Sequence, residues 1–100
     1  MMAEEFTTVR AARAAQADRA VGALERRLDG EHLPSRPGWA CRTCEQDWPC
    51  DPARVRLAEA YGADRIGLSM YVGSLLFVVT AELPAVAPTE LYERFVLWTR

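Results

Sequence analysis

Residues 32–50 read HLPSRPGWACRTCEQDWPC, and they hold all three cysteines, the single histidine, two of the three tryptophans and three of the six prolines. The stretch carries neither the 3.6-residue period of a helix nor the alternation of a strand. Connections longer than about 12–15 residues without regular structure are uncommon in compact domains unless something anchors them. Cys41 and Cys44 form a C-x2-C knuckle, Cys50 follows after five residues, and eight residues separate His32 from Cys41. Three sulfurs and one imidazole at these spacings are a Cys3His donor set for a tetrahedral metal ion, with zinc the first expectation. His32, Cys41, Cys44 and Cys50 are therefore the candidate ligands, with Glu31, Asp47 and Asp51 as oxygen substitutes for the histidine. A fully ligated ion would be structural, whereas a missing histidine would leave a position for water and chemistry. The competing reading is three separate buried or reactive thiols without a metal.

Outward from the loop, the composition sets limits. One hundred residues can bury only a modest share of their unfolded surface, so an internal cross-link is useful. Half of the chain is apolar and 26% is charged, which is globular rather than disordered composition. The formal net charge of -2 lacks the clustered basic excess of an electrostatic nucleic-acid binder. Met1, Met2, Ala3, Glu4 and Glu5 do not make a signal peptide, which gives the expectation of a cytoplasmic chain. An odd number of thiols in a reducing compartment points to metal or redox chemistry over a disulfide frame. The longest uncharged run, residues 66–81, includes two serines, a threonine and two glycines, so no membrane association is expected from it.

The elements follow from their punctuation. We expect one domain over 1–100: an N-terminal helix over 3–29, a metal loop over 30–50, a helix over 51–62, a central apolar helix over 64–83 and a C-terminal helix over 89–99. The first has a thin stripe of Phe6, Val9, Val21, Leu24 and Leu28 filled in with alanines, and Asp29-Gly30 ends it. Asp51 is a plausible N-cap with Pro52 behind it, and Val55, Leu57, Ala58 and Tyr61 make the inward side up to Gly62. Cys50 would then stand where unpaired amides favour a thiolate. Asp64 can cap the third helix, which is apolar nearly all round and so belongs at the centre of a bundle or in a subunit contact. Gly67 and Gly73 weaken it unless another backbone comes close. Thr89 can cap the last helix, with Leu91, Phe95 and Trp98 on one face.

No other constellation reaches a site. Ser69 and Ser74 lack a second histidine to activate them, and there is no glycine-rich phosphate loop. Trp39 and Trp48 either shield the metal while packing on Arg54 or Arg42, or form an exposed recognition surface. Arg42, Arg54 and Arg56 are either a small basic patch or scattered surface charge.

Two resemblances add to this reading. RPGWACRTCEQDWPCDPARVRL, then YGADRIGLSMYVG, and LYERFVLWTR at the end resemble a group of small uncharacterised actinobacterial proteins with a W-x-C-x2-C-x3-WPC-x2-AR core. The matching positions include Trp39, Cys41, Cys44, Trp48, Pro49, Cys50, Ala53, Arg54, Asp64, Arg65, Leu68, Tyr71, Phe95 and Trp98. Some of these proteins carry a flavin-reductase label, so the resemblance implies a small flavin-reductase-associated protein. Separately, C-x2-C-x5-C is similar to the last three cluster ligands of the WhiB-like iron–sulfur proteins. That similarity implies an iron–sulfur cluster or thiol redox sensor on Cys41, Cys44 and Cys50, with His32 in place of the upstream cysteine. The reading that follows is a small all-α bundle of about four helices with a zinc-binding loop between helix 1 and helix 2. Its expected role is a non-catalytic, zinc-stabilised protein-interaction or regulatory module, with a protein partner or self-association through the third or the N-terminal helix.

Overall fold

Helix-forming residues between two glycine stops organise the chain around its most apolar segment. The computed structural model describes Ala15 and residues 18–100. Among these residues there are four helices: α1, which covers residues 18–27, α2 (Asp51–Tyr61), α3 (Arg65–Glu82) and α4 (Pro88–Phe95). A 3-10 turn, Leu97–Thr99, follows α4. The fold is all-α, with the cysteine loop between α1 and α2 as the sequence implied. Phe6 and Val9, and with them the first part of the expected 3–29 helix, lie outside the described residues.

The end of α1 shows why the loop starts where it does. The Gly30 amide donates to Glu25 O at 2.9 Å and the Asp29 amide to Arg26 O at 3.5 Å, the paired bonds of a Schellman cap. The left-handed residue of that cap is Asp29, at φ 53°, with Gly30 next at φ 75°. Asp29 is held in this conformation partly by Arg56 of α2, 2.6 Å from its carboxylate.

α3 is the spine. Leu68, Val72, Leu75, Val78 and Val79 are buried on one side, where α2 and α4 pack. α1 is joined to it through the Tyr71 hydroxyl, which donates to Ala20 O at 2.6 Å. The Arg27 guanidinium lies 4.9 Å and 4.5 Å from the ring centres of Tyr61 and Tyr71, adding a cation–π contact. By length and mean hydropathy (1.3 over 18 residues) α3 is long and apolar enough to cross a membrane, but its buried side is the core of the helical bundle.

Several expectations need correction. α2 turns Ala53 and Leu57 inward rather than the Val55, Leu57, Ala58 set, and Val55 is 56% exposed. The reason is that Cys50, Ala53 and Leu57 lie three and four residues apart, so tying Cys50 into the loop points that row at the core. Cys50, not Asp51, is the N-cap residue of α2. α4 starts at Pro88 behind Ala87 instead of on a Thr89 cap, and its last turn tightens into the 3-10 turn that buries Thr99. α3 is not enclosed all round, since Ile66, Met70 and Phe77 stay exposed.

The Asp64 cap is present, its carboxylate accepting from the Gly67 amide at 2.9 Å. It also explains Gly67: the atoms a Cβ there would meet first, and collide with, are those of the Asp64 carboxylate. This gives a sign reversal to test by urea denaturation. Gly67→Ala should destabilise the wild type by about 1 kcal/mol through the disturbed cap. In an Asp64→Ala background the same change should stabilise by ~0.5–1 kcal/mol, because only helix propensity remains. Equal effects in both backgrounds would remove the cap from the explanation.

Candidate metal centre

The 31–50 loop is not shapeless. Two isolated antiparallel bridges, Pro34 with Cys41 and Ala40 with Asp47, fold it back on itself twice. Amide donations from Ser35 to Ala40 O (2.7 Å), Arg42 to Leu33 O (2.9 Å), Cys41 to Gln46 O (2.7 Å) and Trp48 to Trp39 O (2.9 Å) fix the register. These rungs place Cys41 in the middle of the loop, with Leu33 and Gln46 on either side. The knuckle closes with the Glu45 amide on Cys41 O at 2.9 Å. The amides of Thr43 and Cys44 then point at Cys41 Sγ from 3.4 and 3.5 Å.

His32 is gripped at both ends of its peptide unit. Its amide donates to Thr43 Oγ1 at 3.0 Å, and its carbonyl accepts from the Trp48 indole at 2.8 Å. These bonds hold it at φ 54°, a left-handed conformation that a non-glycine residue takes only when its surroundings impose it. The imidazole Nδ1 thereby comes to 3.3 Å from Cys41 Sγ and 3.4 Å from Cys50 Sγ. Donor atoms of His32, Cys41, Cys44 and Cys50 all lie within 4.8 Å of one another. Around one ion with ~2.3 Å bonds to sulfur and ~2.05 Å to nitrogen, a tetrahedron has N···S edges of about 3.6 Å and S···S edges of about 3.8 Å. The four residues can thus hold a metal ion, while Glu31, Asp47 and Asp51 stay outside the group. Glu31 faces Arg56 instead, at 3.7 Å. The three cysteines are free thiols, Cys41 and Cys50 buried and Cys44 exposed.

The sulfurs differ electrically. Burial pushes Cys41 up, but the amides of Cys44 and Thr43, the Cys44 thiol and His32 outweigh it and bring the pKa down to about 6. For Cys50, burial dominates and pushes the thiol up to about 11, with the Ala53 amide opposing and the Cys41 and Cys44 sulfurs adding to the rise. Cys41 is the sulfur best placed to carry negative charge, since two amides point at it. A divalent cation at the centre would favour the thiolate form of each coordinating thiol.

Behind the donors lies a wall of aromatic rings. Trp39 and Trp48 are both 0% exposed and share the core cluster with Cys41 and Cys50, so the alternative of an exposed recognition surface is ruled out. With Phe95 of α4 they form a triangle of ring centres 5.7, 5.8 and 5.9 Å apart. The arginines also differ from expectation. Arg36, rather than Arg54 or Arg42, lies over Trp39, while Arg54 turns to Pro49 O at 3.0 Å and Arg94 O at 3.3 Å. Arg56 pairs with Asp29, so Arg42, Arg54 and Arg56 do not form one basic patch.

Sequence reasoning missed Arg94 and Thr43. From α4, Arg94 donates to Trp48 O at 2.8 Å and Trp39 O at 2.6 Å, clamping the two sides of the loop. Burial lowers its pKa, as expected for a cation taken partly out of water. An arginine one residue before Phe95, on a helix otherwise exposing acids, was the available signal. A groove of about 480 Å³ between α1 and the loop, lined among others by Val21, Leu24, Pro34 and Arg36, includes none of the four donor residues.

Comparison of the chain with protein-family models, with curated proteins and with solved structures finds no match.

Arg94→Ala should lower stability by about 1–3 kcal/mol, since two carbonyls of buried residues lose a charged donor. Arg94→Lys should recover only part, because an ammonium cannot span both acceptors as the guanidinium fork does. Urea unfolding followed by tryptophan fluorescence reads both, and a lysine variant equal to wild type would count against the clamp. Glu45 occupies a left-handed position at φ 63°. Glu45→Gly should accordingly raise the free energy of unfolding by roughly 1 kcal/mol, read from the same urea curves.

Proposed function

We propose that His32, Cys41, Cys44 and Cys50 bind one zinc ion, and that the chain is a non-catalytic, zinc-stabilised module for protein interaction or regulation. The observation that carries this reading is the convergence of four donors within 4.8 Å. Four protein ligands complete a tetrahedron and leave no position for water or substrate. The groove beside α1 is lined by other residues, which also favours structure over catalysis. The ion's role is to hold a segment that is itself interior: Trp39, Cys41, Trp48 and Cys50 share one core cluster with Leu24, Leu57 and Phe95. In a chain this short, metal binding energy becomes folding energy.

The iron–sulfur alternative uses the same sulfurs but a different spacing. A cluster puts several iron and sulfide atoms among its ligands and needs them farther apart than a single ion does. The 4.8 Å limit on all donor separations favours the mononuclear reading. The flavin-associated alternative finds no support in the geometry, because the described residues form helices and two isolated bridges and no β-barrel.

Elemental analysis of the purified chain should give one zinc per chain and a colourless solution. Cys44 is the decisive position, since it is exposed and serine replaces it without loss of packing. If the ion is structural, Cys44→Ser should still reduce zinc content and lower the melting temperature by more than ~10 °C. His32→Ala should weaken zinc affinity by more than ~10-fold, because losing a ligand costs more than losing a group that merely orients one. A brown protein containing iron and sulfide would overturn zinc, and an unchanged melting curve and metal content in Cys44→Ser would overturn the site.

A further inference from the structure

α3 carries no charged residue between Arg65 and Glu82, and among the described residues only one side of it is buried. On the opposite side Ile66, Met70 and Phe77 are 76%, 72% and 55% exposed. With Gly73 they fall at spacings of four, three and four residues, the repeat that keeps one narrow seam along a helix. Lone exposed apolar residues are ordinary, whereas an aligned row of three with a central glycine is not.

The polar groups of this side are already satisfied. The Ser74 hydroxyl bonds back to Tyr71 O at 2.5 Å and the Thr80 hydroxyl to Phe77 O at 2.9 Å. Covering the seam therefore strands no donor, and desolvation is cheap. Among the described residues nothing requires Gly73 to be a glycine, because a Cβ there would meet nothing within 4 Å. A glycine in mid-helix costs about 1 kcal/mol relative to alanine, and it gains a purpose where a neighbouring side chain must sit in the notch.

We infer that this face is a homodimer interface, in which two copies of α3 pair antiparallel about a two-fold axis near Gly73. Phe77 of each copy seats over Gly73 and Met70 of the other. A two-fold axis at that position makes the seam self-complementary, large side chain against notch on both sides, as an isologous contact requires. Methionine sulfur against an aromatic ring adds a favourable contact. The antiparallel sense opposes the helix dipoles and keeps the two exposed Arg65 side chains at opposite ends. Taking ~200 Å² for each large side chain, the exposed parts of Ile66, Met70 and Phe77 offer about 400 Å² per copy. Two copies give about 800 Å², and the flanking Ser74, Thr80 and Ala81 must supply the rest of the ~1,000 Å² that specific association needs. A lipid surface would neither need the notch nor leave the rest of the face without a basic rim. The inference stands on α3 alone and is independent of what the cysteines bind.

Sedimentation of the full chain, with its metal, over a concentration series should show a monomer–dimer equilibrium. Phe77→Asp should weaken the dimer at least ~30-fold, as loss of a central anchor does. Its circular dichroism and metal content should stay unchanged, because Phe77 is outside the core. Met70→Lys and Phe77→Glu should each be monomeric alone and should pair when mixed, since antiparallel packing sets position 70 against position 77. A wild type that stays monomeric at every concentration, as it would if residues 1–17 of the same chain covered the seam, would overturn the inference. So would a dimer that survives Phe77→Asp, or a mixture that fails to pair.

Discussion

The approach of one imidazole nitrogen to two buried sulfurs is the contact on which the rest of this molecule leans. His32 comes from the turn after α1, Cys41 from the middle of the loop and Cys50 from the N-cap of α2, so their meeting joins three segments at one point. Two non-covalent holds make the meeting possible. The Trp48 indole and the Thr43 hydroxyl fix the His32 backbone, and the Arg94 guanidinium fixes the Trp39 and Trp48 carbonyls from α4. The donors therefore sit on a frame whose hydrogen bonds run between protein groups, the kind of support that orients the ligands of a metal site.

That frame bears on what a metal would do here. A loop that only connects two helices could be lost without harm to the interior. This one contributes both large tryptophans and two cysteines to the core, against Leu24, Leu57 and Phe95. The helices alone are short of apolar partners: α2 buries two residues and α4 two. A cross-link at the four donors would tie down the same segment that builds the core.

Backbone strain is concentrated in the same place. Asp29, His32, Trp39 and Glu45 all have positive φ, between 53° and 63°, without being glycine. His32 is itself a donor, Trp39 belongs to the aromatic wall and Glu45 follows Cys44, so three of the four stand at the site. Left-handed conformations cost non-glycine residues on the order of 1–2 kcal/mol. Their accumulation within seventeen residues shows how strongly the loop's contacts determine its path.

The residue order alone determined the all-α class, the four donor types and the loop that carries them, because helix stops, knuckle spacing and the absence of periodicity are local properties. It also determined the Asp64 cap, a bond spanning only three residues. The inward face of α2, the clamp by Arg94 and the burial of both tryptophans were decided by the tertiary structure. Each depends on groups brought together from forty or more residues away, or on one residue, Cys50, whose tethering rotates an entire helix. The same holds for the open side of α3. Its sequence is apolar all round, and only the placement of α2 and α4 on one flank decides which side chains are left facing water.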